Sequence, residues 1–130
     1  MDFEKYTERA RGFIQSAQAL AVRSGHQRFT PEHILKVLLD DEQGLAAGLI
    51  AAAGGDAKRA LADVERKLDA FPKVEGGGAG QLFMAPETAR LFDNAQKIAE
   101  KAGDSFVTVE RLLLALALGV SLGTAAALRQ

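Results

Sequence analysis

Phe13 to Gly25 (FIQSAQALAVRSG) returns as Leu91 to Gly103 (LFDNAQKIAEKAG), every position displaced by 78. Ala17 falls on Ala95, Gln18 on Gln96, Leu20 on Ile98, Ala21 on Ala99 and Arg23 on Lys101. The same displacement carries Thr30 onto Thr108, Glu32 onto Glu110, Leu35 onto Leu113 and Leu38 onto Leu116. A chain of 130 residues built this way is two small units. A unit of about 65 residues buries only about 60% of the surface its unfolded form exposes. Each copy is therefore too thin to stand alone, and the two are expected to close on one shared core.

The periodicity is helical throughout. From Thr7 onward, Ala10, Phe13, Ile14, Ala17, Leu20 and Ala21 recur at the spacing of one buried stripe, with Thr7 as N-cap and Gly25 as stop. Thr30-Pro31-Glu32 opens a second helix: the threonine hydroxyl can cap free amides, proline at the first helical position loses no needed donor, and the acid faces the helix dipole. That helix buries Ile34, Leu35, Leu38 and Leu39. A short Ala-rich helix follows from Gly44 to Ala53, and Asp56 caps a fourth whose stripe is Ala60, Leu61, Val64 and Leu68 before Pro72 ends it. The expected fold is all-α, two pseudo-symmetric repeats of about four helices each in one compact bundle. Repeat one covers about residues 1–71, a Gly-rich linker 72–82, and repeat two 83–130. The fifth helix begins at Ala85-Pro86 with no capping side chain, so fraying is expected there. With one added residue, Ala46, Ala47 and Leu49 fall on Ala125, Ala126 and Leu128. The last helix of repeat two then has no counterpart here, and the chain reads as the start of a longer protein.

Composition narrows the chemistry. Sixteen basic and 17 acidic residues give a net charge of −1, which leaves no single-sign field to hold a phosphate backbone or an anionic membrane. Nucleic acid and membrane are not expected partners. Cysteine is absent, so disulfides, thiolate catalysis and cysteine zinc sites are excluded. The start, MDFEKYTER, carries charges where a secretory signal has an apolar run, and a cytoplasmic location is expected. GGGAG at Gly76 to Gly80 lacks the lysine and the strand-to-helix setting of a phosphate loop. His26 and His33 match no metal-ligand pattern, and no serine sits in G-x-S-x-G. The chain is read as noncatalytic, with no cofactor and no metal of its own.

What remains is the Thr-x-Glu that starts the second helix of each copy. Capping and dipole effects account for it at about 1 kcal/mol and about 0.3–1 kcal/mol. A functional reading also fits: Glu32 and Glu110 hold equivalent places, where a carboxylate can pair with a cationic or amide group of a bound chain, with Asp104 as a second acid near Glu110.

These segments resemble a known family. FTPEHILKVLL at Phe29 to Leu39, FPKVEG at Phe71 to Gly76 and KAGDSFV at Lys101 to Val107 look like the N-terminal domain of the Clp family of ATP-driven unfoldases, and most closely its ClpB-type disaggregase branch. The resemblance covers essentially the whole chain. It implies a client-binding module that engages unfolded or aggregated polypeptides and passes them to a hexameric AAA+ motor. ATP and magnesium would be used elsewhere in the longer protein, and this fragment would itself be monomeric. By motif position, Thr7, Asp104 and Glu110 are the residues that branch associates with substrate handling. The related ClpC and ClpA types imply an alternative, docking of adaptors or of phosphorylated arginine at Glu32 and Glu110. The second copy reads VTVERLL where ClpC repeats G-T-E-H-I-L, a departure from that type. From helix phase, a groove lined by Phe3, Leu91, Val107 and Leu112 is expected to receive apolar client side chains.

Overall fold

Thr7 and Gly25 bound the first helix, α1 (Glu8–Arg23), in the computed structural model, which describes residues 3–41, 44–73 and 82–119. The Thr7 hydroxyl accepts from the Ala10 amide at 3.1 Å. At the other end Gly25, at φ 76°, turns the chain into the left-handed region that only glycine enters cheaply, letting the Gly25 and His26 amides reach back to Val22 and Ala21. A two-residue strand β1 (Arg28–Phe29) leads into α2 (Pro31–Leu39), followed by α3 (Leu45–Ala52) and α4 (Ala57–Ala70), whose first turn is capped by Asp56. The second copy opens with strand β2 (Phe83–Met84), then α5 (Pro86–Lys101) and α6 (Val109–Gly119). Both ends of α5 lie 78 positions after those of α1, and Gly103 repeats the turn of Gly25 at φ 79°.

The two copies are joined by an exchange of short segments. β1 pairs in parallel with β2, Arg28 opposite Phe83 and Phe29 opposite Met84. Displaced by 78, the same pairing appears as a bridge between Tyr6 and Val107. Ala85 donates to the Phe29 carbonyl at 3.1 Å, and its equivalent Thr7 donates to the Val107 carbonyl at 3.0 Å. The lead-in to the first helix of each copy is thus tied to the lead-in to the second helix of the other. The all-α architecture stands, with these two-residue strands added; a run so short carries no period-two signal for a sequence reading to find.

The expected fraying of α5 is corrected by this exchange. Ala85 supplies no side-chain cap, but it is buried, its amide is held by Phe29, and the Thr88 hydroxyl donates to the same Phe29 carbonyl at 2.6 Å. Backbone pairing with the other copy replaces the missing cap.

A single apolar cluster runs through both copies, with Ala10, Ile14 and Ala17 of α1, Ile34, Leu35 and Leu38 of α2, and Leu112 and Leu116 of α6 among its members. At its centre Tyr6 meets Phe92 edge to face at 5.9 Å and donates its hydroxyl to the Phe92 carbonyl at 3.1 Å. Burial pushes the Tyr6 phenol well above its ordinary range, so it stays a neutral donor. Phe29 lies 6.4 Å from Phe92, so one ring of the second copy takes contacts from two segments of the first, those preceding α1 and α2. The Gly-rich segment 74–81 and the equivalents Ala125, Ala126 and Leu128 fall outside the described residues.

Phe92→Ala should cost about 3–5 kcal/mol. Urea unfolding followed by helical circular dichroism should stay a single transition at lower midpoint, because both copies lean on this ring; two separated transitions would show independent halves.

Candidate functional site

Three of the residues singled out from the sequence come together around the Tyr6–Val107 bridge. Thr7 is bonded to Val107 itself, Asp104 lies three positions before it, and Glu110 three after it in the first turn of α6. Asp104 is not a spare acid. Its carboxylate accepts from Arg111 Nε at 2.8 Å, which braces the loop before α6 against the helix. Thr108 caps that helix through its hydroxyl, 3.3 Å from the Arg111 amide. Glu110 is exposed at the rim of a groove of about 220 Å³ between α3 and α6. Ile50 and Leu113 floor this groove, and Leu49, Leu114 and Ala117 wall it. Leu114 is 43% exposed, a large apolar side chain left in water beside a carboxylate. Phe106, 52% exposed, adds a second apolar side chain on the loop between Asp104 and Val107.

The lining expected from helix phase is corrected. Leu91, Val107 and Leu112 are 3%, 2% and 0% exposed, as members of the common core. Val107 is drawn inward by its bridge to Tyr6, and Leu112 lies on the inner face of α6, one residue before Leu113 and two before Leu114. The Phe3 side chain falls outside the described residues.

Glu32 occupies the equivalent place in the first copy, and the structure keeps it apart from the other three. It lines a cleft of about 270 Å³ with Thr30, Phe71, Pro72 and Glu87, and Arg28 reaches Glu87 at 3.5 Å across its mouth. The displacement of 78 puts Phe106 where Arg28 stands and Arg9 where Glu87 stands. The first-copy cleft is therefore rimmed by charge, and the second copy shows an aromatic ring in the same place.

One pair escaped the sequence reading. His26 and His33 meet at 2.8 Å, Nδ1 of one against Nε2 of the other, both buried. Their equivalents are Asp104 and Arg111, again at 2.8 Å. The repeat alignment carried that signal, since it superposes a complementary charge pair on the two histidines. Among the described residues no group of three or more His, Asp or Glu is gathered as metal ligands, and no helix is long and apolar enough to cross a membrane.

Thr7→Ala should destabilise the chain by about 1 kcal/mol through loss of the cap on Ala10, and Thr7→Ser should restore it. A chemical denaturation series of the two variants reads this, and equal loss in both would show that the hydroxyl is not the stabilising group.

Comparison with known proteins places this geometry. The Clp repeat (R) N-terminal domain family matches residues 5–130. Chaperone protein ClpB of Rhodopseudomonas palustris is 68% identical over 118 residues, 91% of this chain and 13% of the relative. Chaperone protein ClpB of Agrobacterium fabrum is 56% identical over 130 residues, 100% of this chain and 15% of the relative. This chain thus spans a small part of the length of the relatives it matches. Among solved structures, the N-terminal domain of the ClpV1 ATPase from E. coli superposes with a TM-score of 0.83 at 21% identity, covering 98% of this chain and 78% of that one. The Hsp104 N-terminal domain from Candida albicans gives 0.77 at 22% identity, covering 88% and 75%. A complex of the ClpV N-domain with a VipB peptide gives 0.75 at 17% identity, covering 96% and 78%. At these identities the structures establish the shared fold, and the sequence relatives narrow it further: this chain belongs to the Clp N-terminal domain family, in its ClpB-type branch.

Proposed function

We propose that this chain is the client-binding module of a ClpB-type chaperone, holding stretches of unfolded or aggregated polypeptide and handing them to a hexameric AAA+ motor elsewhere in the longer protein. The observation that carries this reading is the apolar groove between α3 and α6 with Leu114 exposed on its wall and Glu110 at its rim. An unfolded client offers apolar side chains for the groove and basic or amide groups for the carboxylate. Support comes from the ClpV N-domain, which shares this fold and was solved in complex with a VipB peptide. Thr7 and the Asp104–Arg111 brace set the angle at which α6 presents Glu110. The role needs no catalytic group, and ATP and magnesium are assigned to the motor.

Magnitudes favour loose binding. Burying about 400 Å² of apolar surface at about 25 cal/mol/Å² gains about 10 kcal/mol, against an association cost of about 4–15 kcal/mol. A module that must release its client to a motor is served by that near balance.

A second reading follows from the Glu32 cleft. Its charged rim, Arg28 with Glu87, and its Phe71 wall suit docking of an adaptor or a phosphorylated arginine, as in ClpC-type proteins.

Amide chemical-shift mapping with an unfolded model protein such as casein distinguishes the two. Shifts should gather on Leu49 to Ala53, Glu110 to Ala117 and Phe106, and Leu114→Asp should weaken binding by about tenfold, with Glu110→Ala nearer about threefold. Shifts centred on Thr30, Glu32 and Phe71, untouched by Leu114→Asp, would transfer the function to the other cleft.

A further inference from the structure

The two copies close the joint between their first and second helices with different chemistry at the same place. In the second copy it is the Asp104–Arg111 ion pair, partly exposed. In the first it is the His26–His33 pair, 5% and 0% exposed. Hydrogen-bond direction settles how the protons sit. The Thr30 backbone amide, which can only donate, points at His33 Nδ1 at 3.0 Å, so that nitrogen carries no proton, and the Thr30 hydroxyl, 2.9 Å away, is turned to donate to it as well. The His33 proton is then on Nε2 and is donated to His26 Nδ1, which leaves the His26 proton on its own Nε2. His26 Nε2 is buried beside the Leu68 backbone without a well-aligned partner. Phe71, just past α4, covers both rings, at 5.5 Å from His26 and 5.9 Å from His33.

Both nitrogens of the pair able to take up a proton already accept a bond. A proton on His33 Nδ1 would face the Thr30 amide, with only a reversed Thr30 hydroxyl to accept it, and one on His26 Nδ1 would face the His33 N–H, donor against donor. The surroundings offer partial compensation only. Asp69 of α4 favours a charged His26, and Lys73 beyond it opposes one. Arg23 of α1 and Lys36 and Glu65 of α2 and α4 border the pair on one side, with Arg28, Glu32 and Glu87 on the cleft side.

We propose that the His26–His33 pair is a proton-operated latch present in the first copy alone. Neutral, it ties β1 and the start of α2 to the end of α4; on taking up a proton it lets Phe71 go and opens the Glu32 cleft, while the Asp104–Arg111 pair holds the second copy shut.

Burial first, and the neighbouring His26 second, hold the His33 pKa down to about 4, while burial first and Lys73 second lower that of His26. The folded value of His33 lies below the unfolded one of about 6.5, so the open form binds the proton more tightly. The contribution of the pair is full above about pH 6.5 and is lost as the pH falls toward about 4. The Asp104–Arg111 pair at the equivalent place contains no imidazole.

The test uses this chain at about pH 7.5 and about pH 5. Long-range proton–nitrogen spectra at the higher pH should show both rings protonated on Nε2. Protection factors from amide exchange, corrected for intrinsic rates, should fall by about 30-fold at His33 and Phe71 between the two pH values and stay level at Arg111. His33→Gln keeps a side chain that can accept from the Thr30 amide, as in a capping box, but cannot titrate; it should reduce the change to within about threefold. A ring protonated on Nδ1 at neutral pH, equal loosening of both copies, or an unreduced change in H33Q would each overturn the latch. The ring measurement on the unsubstituted chain decides the matter should H33Q fail to fold.

Discussion

The backbone exchange at Phe29–Met84 and Tyr6–Val107 is the constraint on which the other features depend. Each copy begins by giving its first strand-like residues to the other, so neither can leave without abandoning buried hydrogen bonds on both sides of the pseudo-symmetry. The same exchange fixes where the helices start. Thr7 and Ala85, one with a capping hydroxyl and one without, stand at matching helix N-termini because the carbonyls of Val107 and Phe29 hold their amides. Tyr6 and Phe92 fill the space beneath, and the phenol spends its one donor on the Phe92 carbonyl.

On this symmetric frame the side chains at equivalent places have diverged. A guanidinium–carboxylate pair and a histidine pair do the same joining work at 2.8 Å, yet one is partly exposed and the other buried. Arg28 and Phe106 diverge likewise, one a cation lining the Glu32 cleft and the other an exposed ring on the loop before α6. Duplication supplied two equivalent platforms, and divergence gave them different surface chemistry. The groove beside Glu110 has an apolar wall and one carboxylate, a combination suited to loose contact with many sequences.

Much was legible beforehand because the signals were local. The α1, α2 and α4 helices, their caps at Thr7 and Asp56, the stop at Gly25, and the buried stripe of Ile34, Leu35, Leu38 and Leu39 all follow from spacing within one turn or two. The site was legible in part: Thr7, Asp104 and Glu110 do gather at one end of α6. Its lining was not. Leu112, Leu113 and Leu114 are adjacent identical residues, and only the partner packed against each turn of α6 decides which is core and which is wall.

Periodicity and duplication by themselves determined that the chain is helical, that it is doubled, and that its halves need a common core, since each rests on contacts within a few residues or on surface that one half cannot bury. Tertiary structure alone decided that the doubling is reciprocal, that Asp104 is spent on Arg111, that two histidines meet out of water, and that Leu114 rather than Leu112 faces solvent. The reciprocal pairing turns on residues that meet across 55 or more positions of chain, and the two side-chain pairs, seven positions apart, turn on how the loop between helices folds against the shared core.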